Sequence, residues 1–241
     1  MKREIIITAD GSTTIHLPDW NEQYHSKHGA IQEAYHVFIK HGLHHFCDQF
    51  CHPELVSGSH KEILSKKIKE ITILEIGFGT GLNAFITLLE AEKLNITINY
   101  IGVEGYPVSA DEINQLNYSK ALKSPNREAL FKKLHEVSWE EKHKITTNFQ
   151  LVKQQKMFDK VNETNVYNLI YFDAFGARVQ PELWTETILK KMFNALKPNG
   201  ILVTYSAKGN VRRAMQSVGY KVDKLPGPPG KREMLRGWKP A

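Results

Sequence analysis

The chain contains little cysteine and no long apolar run. Two cysteines, Cys47 and Cys51, are too few to staple a disulfide scaffold and favour a reducing compartment, which predicts a cytoplasmic location. No apolar stretch reaches the roughly 18 residues that a membrane-spanning helix needs, so we expect no membrane partner. Residues 1–4 lead directly into a strand-like segment and lack the pattern of a secretory signal. The 41% of apolar residues nevertheless suffices for a globular core.

Positive charge is in excess and is concentrated towards the end of the sequence. The chain has 32 Lys and Arg against 26 Asp and Glu, a formal net charge of +6. Residues 207–241 carry nine basic and two acidic side chains, a net charge of +7 for that segment alone. Such a surplus favours an anionic partner, with nucleic acid as the first candidate. A solvated basic surface without a partner is the alternative.

Apolar segments alternate with helical patterns from about residue 66 onwards. Short β-rich runs predict seven strands, at 71–76, 98–103, 149–152, 168–172, 201–205, 220–224 and 232–238. Helical spacing predicts helices between them, at 81–92, 108–118, 182–196 and 210–218. This order indicates an α/β fold with a mostly parallel seven-stranded sheet and helices on both faces.

Residues 1–65 are predicted to form a small extension, and residues 66–241 the main domain. Two β-like runs within 4–17 flank Asp10-Gly11, a pair suited to a tight turn with positive φ, so a hairpin is expected there. A helical pattern follows from residue 29 to about residue 50.

A glycine-rich loop joins the first strand of the main domain to a helix. From Glu75 to Asn83 it reads EIGFGTGLN. Glycines at this place let the backbone turn sharply and approach a ligand, and the helix start adds unpaired N–H donors. The dinucleotide fingerprint G-x-G-x-x-G does not fit, because the third glycine comes one residue early. Glu104 ends the next strand, where an acid can accept hydrogen bonds from ribose hydroxyls.

This combination resembles the S-adenosylmethionine-dependent methyltransferases of the Rossmann-like class. The resemblance implies that S-adenosylmethionine is the cofactor and that the loop and the second-strand acid surround it. The implied cofactor-binding residues are Glu75, Gly77, Phe78, Gly79, Thr80, Gly81, Asn83, Glu104 and Asp173. A glycine-rich turn in another kind of α/β protein is the alternative interpretation.

Asp173 directly follows the fourth strand of the main domain. Ligands of open α/β sheets bind beyond the carboxyl ends of the strands, so Asp173 is expected at the cleft edge and is our candidate catalytic residue. A carboxylate there suits an amine acceptor, because it can orient the amine and help to take its proton. Phe175 offers an aromatic face to a base. A strand-end acid that caps the next turn is the alternative for Asp173.

Further motifs resemble the methyltransferase of the MnmC/MnmD group. They lie at 10–14, 24–26, 29–30, 33–34, 36–38, 79–83, 173–175, 181–185 and 231–234. The resemblance covers nearly the whole chain and is weakest over 119–144. It implies methylation of the aminomethyl nitrogen of 5-aminomethyl-2-thiouridine at the wobble position of tRNA, with the anticodon stem-loop as the partner.

The resemblance, together with the basic surplus, suggests which residues meet the substrate. Polar, aromatic and basic side chains are assigned to it: Tyr24, Ser26, Glu33, Phe175, Lys208, Arg212, Lys231 and Arg232. Loop packing or solvation is the alternative for most of them. Many members of the group carry an FAD-dependent oxidase domain, for which 241 residues leave no room. We therefore expect methyl transfer alone, with a separate oxidase or the enzymes that make the aminomethyl group as candidate partners.

Two rival functions are left open by the sequence. A methyltransferase or aminopropyl transferase acting on a small amine needs the same loop and acids but no basic surface. An RNA-binding module that has lost catalysis needs the basic surface, but it has no need of Glu75, Glu104 and Asp173.

A zinc site is not expected, although histidines and cysteines cluster near residue 50. The candidate ligands are His44, His45, Cys47, Cys51 and His52. Zinc motifs usually add a distant second pair of ligands, and none accompanies this cluster.

Overall fold

A small antiparallel sheet begins the chain. The structure is a computed structural model and describes residues 2–50 and 68–241. Strand β1 (Glu4–Ile7) pairs with β2 (Thr13–Leu17), which pairs in turn with the short β3 (Glu22–Gln23). The hairpin expected around Asp10-Gly11 is therefore confirmed, and Gly11 has a φ of 82° in its turn.

A long helix follows, as expected from its apolar spacing. Three consecutive segments, Ala30–Ala34, Tyr35–His44 and His45–Phe50, continue one another, and the middle one is a π-helix. The ring of Phe38 packs 5.1 Å from that of Tyr171, so this helix shares the core of the main domain. The boundary drawn between residues 65 and 66 lies outside the described residues, and the division into two domains stays a prediction.

Eight further strands form the main sheet. They are β4 (Glu70–Ile76), β5 (Thr97–Glu104), β6 (Lys142–Lys144), β7 (Phe149–Gln155), β8 (Tyr167–Phe172), β9 (Leu196–Thr204), β10 (Lys221–Pro226) and β11 (Glu233–Trp238). Their order in the described residues is β10-β11-β9-β8-β4-β5-β7-β6. The five strands from β9 to β7 are parallel, and the pairings of β10, β11 and β6 are antiparallel. The α/β class with a mostly parallel sheet is confirmed.

The eighth strand, β6, is one more than the sequence predicted. Its residues are Lys-His-Lys at 142–144, and within the described chain it pairs only with β7 at the sheet edge. An edge strand without apolar residues has no alternating pattern that marks it in the sequence.

Helices cover both faces of the sheet and create two apolar cores. They span Leu82–Leu94, Ala110–Ile113, Tyr118–Ala121, Glu128–Glu136, Glu186–Ala195 and Gly209–Ser217. Short 3₁₀ turns lie at Pro18–Trp20, Pro125–Arg127, Phe158–Lys160 and Pro181–Trp184. No helix in the described part of the chain is long and apolar enough to cross a membrane.

The single helix predicted over 108–118 is wrong, because the chain breaks into two short helices there. Asn117 lies between them, and its side chain bonds to the hairpin. Its Oδ1 accepts the Thr13 N–H at 2.9 Å, and its Nδ2 donates to the Gly11 carbonyl at 2.9 Å. Side-chain bonds of this kind compete with helical hydrogen bonds, which explains the break.

Candidate active site

A cleft of about 1070 Å³ runs along the carboxyl edge of the central strands. Ile76 of β4 pairs with both Val103 of β5 and Phe172 of β8, so these three strands end side by side. Residues that follow or end the strands line the cleft, namely Gly77, Gly79, Glu104 and Asp173. The beginning of the chain also contributes lining residues: Arg3, Leu17, Trp20, Tyr24 and His25.

The glycine loop is held tightly between neighbouring strands. Gly77, Gly79 and Gly81 have φ values of 89°, 49° and 70°, a region that side chains disfavour. The Gly77 N–H donates to the Val103 carbonyl at 3.0 Å. A Cβ on Gly77 would lie 2.7 Å from the carbonyl oxygen of Asp173, so a larger residue would push the two strand ends apart.

Glu104 is fixed at the cleft by the backbone around it. Its Oε2 accepts the Gly79 N–H at 3.0 Å, and its Oε1 accepts the Tyr106 N–H at 2.8 Å. A carboxylate oxygen can accept more than one hydrogen bond, so both oxygens keep capacity for a ligand's hydroxyl groups.

Glu75 and Asn83 form a buried polar network beneath the cleft. The Asn83 amide donates to Glu75 Oε1 at 2.9 Å and to Asp173 Oδ2 at 2.8 Å. The Tyr100 hydroxyl donates to Glu75 Oε2 at 2.8 Å. Burial raises the pKa of Glu75 well above its usual value. Neither Glu75 nor Asn83 lines the cleft, and Asn83 links Glu75 to Asp173.

Asp173 joins this network to the cleft. Its side chain is only 6% exposed, and burial raises its pKa to about 8. The nearby negative charge of Glu33 raises that pKa further, whereas the Asn83 hydrogen bond and the positive charge of Lys231 lower it. The group is therefore a much stronger base than an ordinary aspartate.

Three residues assigned to the cofactor by resemblance place no side chain in the cleft: Phe78 and Thr80 are buried, and Gly81 has no side chain. Phe78 is 3% exposed and packs against Gly102 and the His135 ring, 5.7 Å away. Thr80 is fully buried, and a Cβ on Gly81 would lie 2.8 Å from Nε2 of His135. These residues shape the loop from below, and their side chains do not line the cleft.

His25 lies in the cleft beside Asp173. Its Nδ1 is 4.0 Å from Asp173 Oδ2, and its Nε2 is 2.7 Å from the Thr80 hydroxyl oxygen. Burial lowers the pKa of His25 to about 4, so the ring is neutral at pH 7. His25 stands in the motif at 24–26, and no pattern in the sequence distinguishes it from its neighbours Tyr24 and Ser26.

Aromatic rings surround the part of the cleft next to Asp173. The Phe175 ring makes edge contacts with Tyr24 at 5.1 Å and Trp20 at 5.7 Å. The Arg178 side chain donates to the carbonyls of Trp20 and Asn21 at 2.7 and 2.9 Å, which ties this turn to the loop after β8. The sequence analysis assigned Tyr24 and Phe175 but missed Trp20, since no motif includes it.

Ser26 and Glu33 lie behind the cleft and do not line it. The Ser26 N–H donates to Glu33 Oε2 at 2.8 Å. Glu33 Oε1 accepts a hydrogen bond from the Lys231 ammonium, which also lies 3.8 Å above the Tyr205 ring. Lys231 is thus partnered within the protein, although it also borders the neighbouring surface.

A second, shallower depression of about 650 Å³ carries most of the basic candidates. Lys208, Lys224, Lys231 and Arg232 line it, and we call it the basic groove. Its residue Gly176 directly follows Phe175 of the cleft. Arg212 does not line the groove, but it lies one helical turn after Lys208.

The histidines and cysteines considered for zinc do not converge where they are described. His44 Nε2 lies 2.9 Å from Glu90 Oε2, and Cys47 is buried in the core. Cys51 and His52 fall outside the described residues. Within 2–50 and 68–241, no three His, Cys, Asp or Glu side chains are placed to hold a metal ion.

Residues 117–240 match a family described as S-adenosyl-L-methionine-dependent methyltransferase. The chain belongs to this family. S-adenosylmethionine is accordingly the cofactor of the methyltransferase, and the resemblance read from the loop and Glu104 is confirmed at that level.

The methyltransferase is also similar to individual proteins. It is 26% identical over 245 residues to the tRNA 5-methylaminomethyl-2-thiouridine biosynthesis bifunctional protein MnmC of Cupriavidus metallidurans, a match covering 96% of the chain and 33% of that relative. The chain thus spans about a third of the length of the curated relatives it matches.

Solved structures confirm the fold. The crystal structure of MnmC2 from Aquifex aeolicus aligns with a TM-score of 0.74 and 23% identity, covering 100% of this chain and 72% of that one. Spermidine synthase from Thermotoga maritima aligns with a TM-score of 0.54 and 13% identity, covering 98% and 68%.

The residues that line the cleft suit the chemistry of S-adenosylmethionine. Glu104 offers acceptors suited to ribose hydroxyls, as described above. Tyr106 and Met157 line the cleft nearby and are 65% and 47% exposed, unusually high fractions for large apolar side chains. An adenine ring bound between them and Glu104 would cover this apolar surface.

The raised pKa of Asp173 predicts a pH-dependent stability of the cofactor-free protein. Between about pH 4 and pH 8 the folded protein keeps the Asp173 proton, whereas the unfolded chain loses it. The free energy of unfolding therefore loses this contribution as pH rises through that window. Asp173→Asn cannot titrate, so it should gain stability relative to the wild type between pH 5 and pH 8.5, measured by urea unfolding.

Asp159→Asn is the matched control for this experiment. Asp159 also lines the cleft, but its side chain is 52% exposed and paired with Lys160, which holds its pKa below the usual value. The control should show no such gain. An Asp173→Asn difference that stays constant between the two pH values would contradict a buried carboxyl with a raised pKa.

Proposed function

We propose that this methyltransferase transfers a methyl group to the aminomethyl nitrogen of 5-aminomethyluridine, or its 2-thio form, at the wobble position of tRNA. The observation that carries the proposal is the Asp173 carboxyl, which borders a cleft lined by aromatic rings beside a basic groove. The curated relatives are named for the biosynthesis of 5-methylaminomethyl-2-thiouridine of tRNA, which supports this choice of substrate.

Asp173 is proposed as the residue that receives the amine. A primary alkylamine is mostly protonated at neutral pH, and methyl transfer needs its lone pair. Burial keeps the Asp173 carboxyl protonated at pH 7 in the cofactor-free protein. The positive charges of the bound amine and of the cofactor's sulfur would favour its ionised form, which can accept the amine proton. The Asn83 hydrogen bond occupies Oδ2, which leaves Oδ1 to orient the amine.

The cofactor is proposed to lie along the glycine loop. When bound, S-adenosylmethionine supplies an electrophilic methyl group on a positively charged sulfur. The backbone of Gly77 and Gly79 approaches it closely, and Glu104 accepts the ribose hydroxyls. Glu75 and Asn83 keep Asp173 rigid, so proximity and alignment at the amine provide much of the rate enhancement.

The uracil ring is proposed to pack among Trp20, Tyr24 and Phe175. Single-stranded bases are recognised by stacking on aromatic side chains after they leave the helical stack. These rings border the cleft within one cluster, so a flipped base would reach Asp173 with its 5-substituent while the rings exclude water.

The basic groove is proposed to hold phosphates of the anticodon stem-loop. Lys208 and Arg232 are exposed there, whereas Lys224 and Lys231 already pair with Glu233 and Glu33. The basic groove favours tRNA over the small amine of the rival function, because tRNA carries many phosphates and a small amine carries none. We further propose that the protein acts in the cytoplasm, where tRNA is modified.

The aminomethyl group is proposed to come from other enzymes or from a separate FAD-dependent oxidase. The Cupriavidus relative is described as bifunctional and is about three times as long as its matched part. Methyl transfer is the activity that we assign to this chain of 241 residues.

Nucleoside mass spectrometry of tRNA lacking wobble methylation tests this function. After incubation with the protein and S-adenosylmethionine, 5-aminomethyl-2-thiouridine should decrease and a nucleoside heavier by one methyl group should replace it. Asp173→Ala should lower the rate by about 100-fold or more, since general-base catalysis contributes about 10²–10⁴-fold. Asp111→Ala is the matched control, because Asp111 is exposed and does not line the cleft, and it should stay near the wild-type rate.

Two results of this assay would contradict the proposed function. Methylation of a free amine but not of tRNA would contradict the proposal and favour the small-amine alternative. Binding of S-adenosylmethionine with no methyl transfer to either substrate would contradict both.

Salt dependence tests the basic groove. Lys208→Ala and Arg232→Ala should each weaken tRNA binding and reduce the slope of log Kd against log salt by about one, because each loses one phosphate contact. The control is Lys142→Ala, whose exposed side chain lies on β6 at the opposite edge of the sheet. Equal slopes for all four proteins would remove the groove from the proposed interface.

A further inference from the structure

His25 presents an unused hydrogen-bonding atom to the cleft. Its ring is nearly buried, and its Nδ1 is 4.0 Å from Asp173 Oδ2, beyond hydrogen-bonding distance. No hydrogen bond joins Nδ1 to any residue among 2–50 and 68–241. The proposed binding of the amine to Asp173 does not use this nitrogen.

Contacts on the far side of the ring determine which nitrogen carries the proton. The Tyr118 hydroxyl donates to Thr80 Oγ1 at 3.0 Å, so the Thr80 hydrogen needs another acceptor. His25 Nε2, at 2.7 Å, is the only acceptor that the described residues offer to it. A buried hydroxyl hydrogen without an acceptor is costly, so Thr80 donates to Nε2. A neutral ring then carries its proton on Nδ1.

The His25 ring is therefore a neutral donor held in one orientation. The Thr14 hydroxyl oxygen accepts the His25 backbone N–H at 3.0 Å, which fixes the residue from its main chain as well. The Nδ1–H is directed towards the same part of the cleft as the Asp173 carboxyl. An acceptor oxygen fits beside this donor, whereas a second donor would leave two N–H groups facing each other.

We propose that His25 determines substrate specificity by donating its Nδ1–H to the carbonyl oxygen at position 4 of the acceptor pyrimidine. This inference rests on the proposed function, because it takes the amine to be held at Asp173. In a 5-aminomethyl pyrimidine the aminomethyl group and the position-4 group are on neighbouring ring carbons, so the amine nitrogen can lie beside the position-4 group. The Asp173 carboxyl as acceptor and the His25 Nδ1–H as donor match that arrangement, because Nδ1 lies 4.0 Å from Oδ2 of the carboxyl whose Oδ1 receives the amine. Cytosine has an amino group at position 4, which His25 rejects.

The test compares two synthetic anticodon stem-loops. They carry 5-aminomethyluridine or 5-aminomethylcytidine at the wobble position, and kcat/KM is measured for each with three proteins. The wild type should prefer the uridine substrate by about tenfold or more, because cytosine leaves a buried donor unpaired. His25→Phe, which keeps an aromatic ring but has no donor, should lose most of this preference through a lower rate on uridine.

His25→Asn is the matched variant that preserves the donor. Its amide nitrogen reaches approximately the place of Nδ1, so it should retain a preference for uridine that His25→Phe lacks. Thermal unfolding and calorimetric titration with S-adenosylmethionine check that each variant folds and binds the cofactor. The two bases also differ at N3, but that difference is common to all three proteins and cancels in the comparison of preferences.

The results distinguish a failure of the role proposed for His25 from a failure of the proposed methyl transfer to tRNA. A wild type that methylates neither stem-loop contradicts the proposed function. A wild type that methylates the uridine substrate, with an equal preference in His25→Phe, contradicts the role of His25 alone. If His25→Phe does not fold, His25→Leu takes its place in the same comparison: a lost preference for uridine supports the role, and a preference equal to that of the wild type overturns it.

Discussion

The Asn83 side chain holds the site together. Its amide group donates to two buried carboxyls, Glu75 on the central strand β4 and Asp173 after the neighbouring strand β8. Buried carboxyls are costly unless they are hydrogen-bonded, and the Tyr100 hydroxyl completes the network from β5. Three adjacent strands and the helix after the glycine loop are thereby locked at the point where Asp173 meets the cleft. The position of Asp173 follows from this buried network, whereas its pKa is raised by burial and is lowered by the Asn83 hydrogen bond.

The beginning of the chain forms one side of the cleft and is tied to the main sheet by two arginines. Arg3 donates to the Tyr106 carbonyl at 2.9 Å and lies 5.8 Å from the Tyr24 ring centre, so it links the small sheet to the segment after β5. Arg178 makes the corresponding link after β8 through Trp20 and Asn21. Both links, together with the bonds of Asn117 to the hairpin, hold the aromatic rings and His25 against the strand ends. The cleft therefore depends on contacts between the beginning of the chain and the segments that follow β5 and β8.

Much of this arrangement could be predicted from local sequence. Apolar runs marked the central strands, and a glycine loop with strand-end acids marked the cleft, because the carboxyl ends of parallel strands share one edge. Features that depend on distant contacts could not be predicted. The bonds of Asn117 to the hairpin broke an expected helix, and the sheet edge alone made a strand of 142–144. Burial beneath the loop separated Phe78 from the cleft, and no pattern within the chain reports such a position.

A crystal structure with bound S-adenosylhomocysteine tests the central claim most directly, because it locates the cofactor and the methyl-donor position together. We expect the ribose hydroxyls within hydrogen-bonding distance of Glu104 and the sulfur directed towards Asp173, with the Asn83 bridge intact. A cofactor whose sulfur points away from Asp173, or an Asn83 side chain turned away from both carboxyls, would contradict the account.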